Sequence, residues 1–183
     1  MATPAIPAPL ARLPNALTLA RLAVIPVFVA LMIKAGDAHS WPAGILFGVA
    51  GITDQIDGFL ARRWHVESRF GKIADPLADR LMIDAAVILL VVYGRLPWAA
   101  LVVIAARDVL LLAGWRVLAP RGVDLDVNLL GKAATWLLYA AIGVRIVTHD
   151  ATSWPLWLFW IGLGGAVAAA MLYVRDAWRV LKR

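Results

Sequence analysis

The sequence predicts an all-α integral membrane protein with six transmembrane helices and both termini in the cytoplasm. Three observations predict it. Of 183 residues, 62% are hydrophobic and only 16% charged, with a mean hydropathy of +0.79, whereas a soluble domain is about half apolar and a quarter charged. Six apolar runs approach the ~20 residues that cross a hydrocarbon core. When those runs alternate across a membrane, fifteen of the 18 Lys and Arg residues fall on one side.

The elements follow in order. Residues 1–15, with the Pro- and Ala-rich stretch ATPAIPAPLARLP, form an interfacial lead-in, and residues 16–183 form a single six-helix domain. The first span is Ala16–Ile33; the charge alternation works only if it is retained rather than cleaved as a signal. The second is Trp41–Ala61. Interior Pro26 and Gly48 do not argue against helices, because neighbouring segments in a membrane satisfy the freed backbone groups. The third is Pro76–Tyr93, where Pro76 directly after Asp75 suits a helix start with Asp75 near the N-cap. Pro97–Leu118, Leu129–Val147 and Trp154–Val174 complete the set. Trp41, Trp98, Trp154, Trp157 and Trp178 lie near span ends, where amphipathic rings favour the headgroup region. No internal repeat or second domain is visible.

The N-terminus, the second-to-third connection, the fourth-to-fifth connection and the C-terminus gather the cations. Only Lys34, Arg95 and Arg145 remain for the other side. Positive residues mark cytoplasmic segments, so both termini belong there, in a cell membrane. The net charge of +6 suits an anionic membrane surface or anionic substrates. The cations form no dense run of the kind a nucleic-acid partner requires. The absence of cysteine excludes disulfides and thiolate chemistry.

Between the second and third runs stands TDQIDGFLARRWHVESRFGKIADPLADR, with Asp54, Asp57, Asp75 and Asp79. Asp54 and Asp57 are three residues apart and Asp75 and Asp79 four, so each pair shares a helix face. A loop of roughly a dozen residues folds the two faces together. An unpaired Asp at mid-membrane costs about 2.5–3.5 kcal/mol, less near the interface. Two divalent cations offset four carboxylates, and all-oxygen ligation selects Mg²⁺ or Mn²⁺, with Ca²⁺, over zinc or copper. A paired-metal site also holds the attacking and leaving oxygens of phosphoryl chemistry. Gly58 and Ala61 allow a planar group to approach the backbone, and Arg62 can hold a phosphate by its planar fork of donors. The plainer reading pairs the acids with Arg62, Arg63, Arg69 and Arg80 to terminate two helices.

Asp54-x-x-Asp57-Gly58-x-x-Ala61-Arg62, then eight residues, then Gly71-x-x-x-Asp75-x-x-x-Asp79 resembles the full signature of the CDP-alcohol phosphotransferase family. Asn15-x-x-Thr18-x-x-Arg21 resembles the family's N-terminal segment, and Ser68 the small hydroxyl residue near its pyrophosphate site. The resemblance implies transfer of a substituted phosphoryl group from a CDP-linked donor to an alcohol, releasing CMP. It implies Asp54, Asp57 and Asp75 as ligands of two divalent cations, and Asp79 as general base that also touches the second metal. Asn15, Thr18, Gly58, Ala61, Arg62 and Ser68 would seat the CDP-lipid, and the protein would pair as a homodimer with its active site at the cytoplasmic face.

The short chain resembles the phosphatidyl-transferring branch, which makes CDP-diacylglycerol the expected donor. For the acceptor, ARD at 106–108 and GKAAT at 131–135 resemble cardiolipin-synthesising members. Members that use glycerol-3-phosphate usually carry Arg-Glu and Gly-Lys-x-Lys-Thr. Asp108 replaces that Glu, and Ala134 stands where the second Lys would be. The expected acceptor is therefore phosphatidylglycerol, with glycerol-3-phosphate as the alternative, and Arg107, Arg116 and Lys132 near the acceptor phosphate. A cation transporter would hold its acids nearer the midplane and show repeat symmetry. A non-catalytic scaffold would have no use for four costly aspartates.

Overall fold

The computed structural model describes residues 8–64, 69–118, 129–149 and 153–181, with side chains for 19–53, 80–110, 129–149, 153–175 and 178. Among these residues there is no strand. Six helices follow in order: α1 Ala8–Ala35, α2 Trp41–Trp64, α3 Arg69–Val92, α4 Trp98–Leu118, α5 Leu129–Val147 and α6 Trp154–Leu181. The all-helical expectation holds. Leu129–Val147 and Trp154–Arg175 are long and apolar enough to cross a membrane, and Trp41–Thr53 is a shorter apolar stretch.

Three boundaries differ most from the sequence expectation, one of them the end of α6, at Leu181 rather than Val174. Helix α1 begins at Ala8, because Pro9 sits in a first turn that needs no N–H from it and the Ala- and Leu-rich stretch after it favours helix. Helix α3 begins at Arg69, which leaves Pro76 inside the helix and Asp75 away from any N-cap. Phe70, Ile73, Leu77 and Leu81 recur at helical spacing and carry the helix through the proline. The connection between α2 and α3 thus shrinks to residues 65–68.

The chain divides into two compact units, Met1–Leu89 and Leu90–Arg183. In the first, α1 packs on α2. Phe28 and Phe47 are fully buried with ring centroids 5.8 Å apart. Gly36, at φ +77°, closes α1 by donating its N–H to the Ile33 carbonyl at 3.1 Å; the left-handed conformation suits glycine. Ser40 then caps α2, its Oγ accepting the Ala43 N–H at 3.2 Å.

In the second unit α6 packs against α5 and α4. A Cβ placed on Gly162 would lie 3.1 Å from the Leu138 backbone nitrogen, and one on Gly165 would lie 3.2 Å from the Ala134 Cβ. Small residues let the two helix backbones close on each other. Gly94, at φ +70°, ends α3. The Arg95 and Leu96 N–H groups both donate to the Leu90 carbonyl, at 2.7 and 3.0 Å. The buried Arg95 guanidinium donates to the Thr148 carbonyl, and Arg145 Nε donates to the Arg95 carbonyl at 3.1 Å.

Apolar side chains cover the outside as well as the inside. Val27, Ile45, Val49, Val102 and Ile161 are each more than half exposed, as on faces that meet lipid or another protein surface. Trp41, Trp98 and Trp154, also more than half exposed, are the first residues of α2, α4 and α6.

Candidate active site

The signature residues divide between two consecutive helices of the first unit. Asp54, Asp57, Gly58, Ala61 and Arg62 lie in the C-terminal half of α2, and Asp75 and Asp79 in the N-terminal half of α3. Helical backbone at both places puts Asp54 and Asp57 one turn apart on α2, and Asp75 and Asp79 one turn apart on α3. Asp57 stands seven residues before the end of α2 and Asp75 six after the start of α3, about 10 and 9 Å along the helices. Asp54 and Asp79 are each ten residues from the same ends, about 15 Å. The side chains of these residues lie outside the described ones. Just before them, Thr53 turns its hydroxyl onto the Val49 carbonyl at 2.7 Å, so it serves α2 itself.

Asn15 and Thr18 lie on α1, with their side chains outside the described residues, and Ser68 falls outside them altogether. Arg21 continues their i, i+3 spacing and is buried, only 6% exposed. In sequence Arg21 is only the third member of Asn15-x-x-Thr18-x-x-Arg21, with no role of its own. Its signal was a cation at the spacing of two proposed ligand-binding residues, and a buried cation needs anionic or carbonyl partners.

The acceptor candidates occupy the second unit. Arg107, on α4, has its Nη1 3.1 Å from Asp108 Oδ1, and its Nε is buried with no hydrogen-bond partner among the described residues. Arg116 is on α4 with its side chain outside the described residues. Lys132 is exposed in the first turn of α5. That turn carries no acidic residue, and a helix N-terminus disfavours a cation unless an anion joins it. Thr135 is turned inward, its Oγ1 donating to the Gly131 carbonyl at 2.9 Å. Ala134 is buried against α6 beside Gly165.

Residues 11–170 match the sequence profile of the CDP-alcohol phosphatidyltransferases. The chain is 34% identical over 188 aligned positions to a CDP-diacylglycerol–glycerol-3-phosphate 3-phosphatidyltransferase of Bacillus subtilis, covering 93% of this chain and 97% of that protein. It is 36% identical to a probable phosphatidylglycerophosphate synthase of Mycobacterium tuberculosis, over 75% of this chain and 67% of that one. A glycerol-3-phosphate 3-phosphatidyltransferase of Escherichia coli K12 is 29% identical over 93% of this chain and 91% of its own length.

Proposed function

The chain belongs to the CDP-alcohol phosphatidyltransferase family, and from that premise we propose that it transfers a phosphatidyl group from CDP-diacylglycerol to glycerol-3-phosphate. CMP and phosphatidylglycerophosphate are the products. The observation that carries the acceptor is that relatives matched along nearly their whole length are named for glycerol-3-phosphate. It favours the alternative, glycerol-3-phosphate, over the expectation of phosphatidylglycerol and cardiolipin. The expectation rested on Asp108 in place of a Glu and Ala134 in place of a second lysine. Position 134 packs against α6, so an alanine there also serves helix packing.

The spacing of the acids supports the site. Connections as short as residues 65–68 usually join antiparallel neighbours. In that arrangement Asp57 comes level with Asp75, and Asp54 with Asp79, along the two helices. Such a donor set, all oxygen and fourfold negative, fits two Mg²⁺ or Mn²⁺ ions, which Asp54, Asp57 and Asp75 would hold, with Asp79 beside them. When bound, these ions would neutralise the diphosphate and ease departure of CMP.

The chain's own residues would do the rest. Gly58 and Ala61 keep the α2 surface low for the cytidine, and Arg62 holds the diphosphate, with Asn15, Thr18, Arg21 and Ser68 beside it. Lys132 at the start of α5, with Arg116, meets the acceptor phosphate, where free helix N–H groups add to the cation's attraction. Asp79, ionised, takes the proton from the acceptor hydroxyl as its oxygen bonds to the phosphorus bearing diacylglycerol. The phosphorus–oxygen bond to CMP breaks, and CMP keeps the electron pair. Beside such cations the carboxylate would be a weak base, so orientation of the alcohol would supply much of the acceleration.

The same proposal places all six helices across a cell membrane with both termini in the cytoplasm. Fifteen cations on one side support it. So do the exposed tryptophans that open α2, α4 and α6, the three helices that would start on the opposite side. Pairing of two copies rests on the family resemblance alone.

The test is acceptor choice. Purified protein in detergent receives CDP-diacylglycerol, Mg²⁺ and either glycerol-3-phosphate or phosphatidylglycerol, and CMP and lipid product are measured. Turnover with glycerol-3-phosphate alone is expected. Cardiolipin formed from phosphatidylglycerol, with no glycerol-3-phosphate turnover, would reverse the assignment.

A further inference from the structure

A cavity of about 750 Å³ opens between α4 and α6, wholly within the second unit. It follows α4 from Val102 to Leu110 and α6 from Val167 to Trp178, between almost entirely apolar walls. At the helical rise these stretches are about 12 and 16 Å long, a slot for an extended chain. One polar feature interrupts the α4 wall. Arg107 gives its Nη1 to Asp108 Oδ1 at 3.1 Å, while its Nε is buried with no hydrogen-bond partner among the described residues. Arg175, which also lines the cavity, is engaged within the protein, so the open donor belongs to Arg107.

Depth narrows the choice of occupant. On the six-span reading Trp98 marks the outer boundary of α4, and Arg107 stands nine residues beyond it, about 14 Å into a core about 30 Å thick. In the hydrocarbon region no water satisfies an N–H, and headgroup phosphates lie well above this level. Asp108 already balances the guanidinium, so the partner that Nε lacks is a neutral oxygen. The carbonyl of an acyl ester is the lipid oxygen closest to the chains, and the donor of the proposed reaction carries two. Asp54 stands thirteen residues beyond Trp41, the outer end of α2, or about 20 Å. A donor whose phosphate reacts at that level carries its esters deeper still. The levels of Asp54 and Arg107 differ by about 6 Å, which a glycerol backbone spans. We propose that the groove seats one acyl chain of CDP-diacylglycerol, its ester carbonyl accepting the Arg107 Nε–H and its chain running toward Val102 and Val167. The inference rests on the transferase reading and on six spans, and it gives Arg107 the donor's ester in place of the acceptor's phosphate.

The full chain, purified in detergent, is titrated by calorimetry with CDP-diacylglycerol and with its dialkyl ether analogue, which lacks both carbonyls. The wild type should bind the ester about tenfold more tightly, as expected for one hydrogen bond from a charged donor. Arg107→Met combined with Asp108→Asn removes both charges together and should bring the two affinities within about twofold of each other. A merely structural role for Arg107 would weaken both lipids alike and leave their ratio. Val102→Trp narrows the groove from a half-exposed position that tolerates the ring. It should weaken the dioleoyl lipid about tenfold and spare a dibutyryl one. Equal binding of ester and ether by the wild type overturns the proposal, as does a ratio that survives in the double variant. Unchanged dioleoyl binding by Val102→Trp overturns it as well. CMP release with glycerol-3-phosphate is followed on the same samples. An ester preference carried by Arg107 without CMP release leaves the groove standing and removes the transferase reading; CMP release without that preference does the reverse.

Discussion

At position 79 a carboxylate and a carboxamide fill nearly the same space, yet only the carboxylate can accept the hydroxyl proton. Asp79→Asn should therefore lower kcat by about 10²–10⁴-fold and leave CDP-diacylglycerol affinity, measured by calorimetry, near that of the wild type. Parallel loss of binding would make Asp79 chiefly a holder of the donor. Ala134 gives the opposite lesson. Its burial against Gly165 means that Ala134→Lys forces a long cation into a closed helix contact, at a cost of about 3 kcal/mol or more. A large drop in detergent Tm is expected; an unchanged Tm would restore the position as a possible acceptor determinant. The sequence displayed the aspartates plainly, because i, i+3 and i, i+4 spacing on helices needs no tertiary knowledge. It could not display the role of Ala134, because nothing local distinguishes an alanine that packs on a helix 30 residues away from one that replaces a lysine.

Among the helices, α5 and α6 form the closest described pair, and two glycines on α6 should separate cleanly. Gly162→Ala drives a methyl to 3.1 Å from the Leu138 backbone nitrogen and should destabilise by about 1–3 kcal/mol. Gly164 meets nothing within 4 Å, so Gly164→Ala should be neutral or gain up to about 1 kcal/mol from helix propensity. Thermal unfolding in one detergent compares the two, and equal shifts would deny the close approach. At the α3–α4 turn, Arg95 and Arg145 tie carbonyl groups of separate segments together. In sequence both count only as cations on the poorly charged side. Gly36 and Gly94 close helices and Ser40 caps one, whereas no such residue marks the start of α3. There the helical spacing of apolar residues from Phe70 onward outweighs Pro76, a balance that a proline-based rule misses.

For the molecule as a whole, a chain without cysteine permits a direct test of topology. Single cysteines at Asp37 and His149, both exposed, should react with a membrane-impermeant maleimide on intact cells. One at Lys132 should react only after lysis. Labelling of Lys132→Cys from outside would invert or remove the six-span arrangement. Hydropathy carried the order of the six helices, because lipid as solvent imposes a length rule on each helix separately. The acceptor was not legible in that way, since it depends on how α4, α5 and α6 present a few side chains. The central claim is that four aspartates on α2 and α3 form one metal-dependent transfer site. It is tested most directly by following CMP release from CDP-diacylglycerol and glycerol-3-phosphate by chelated protein as Mg²⁺ or Mn²⁺ is returned. The account predicts no turnover in chelator and recovery with either ion, abolished by Asp57→Asn or Asp75→Asn. Full turnover in chelator, or in those variants, would contradict it.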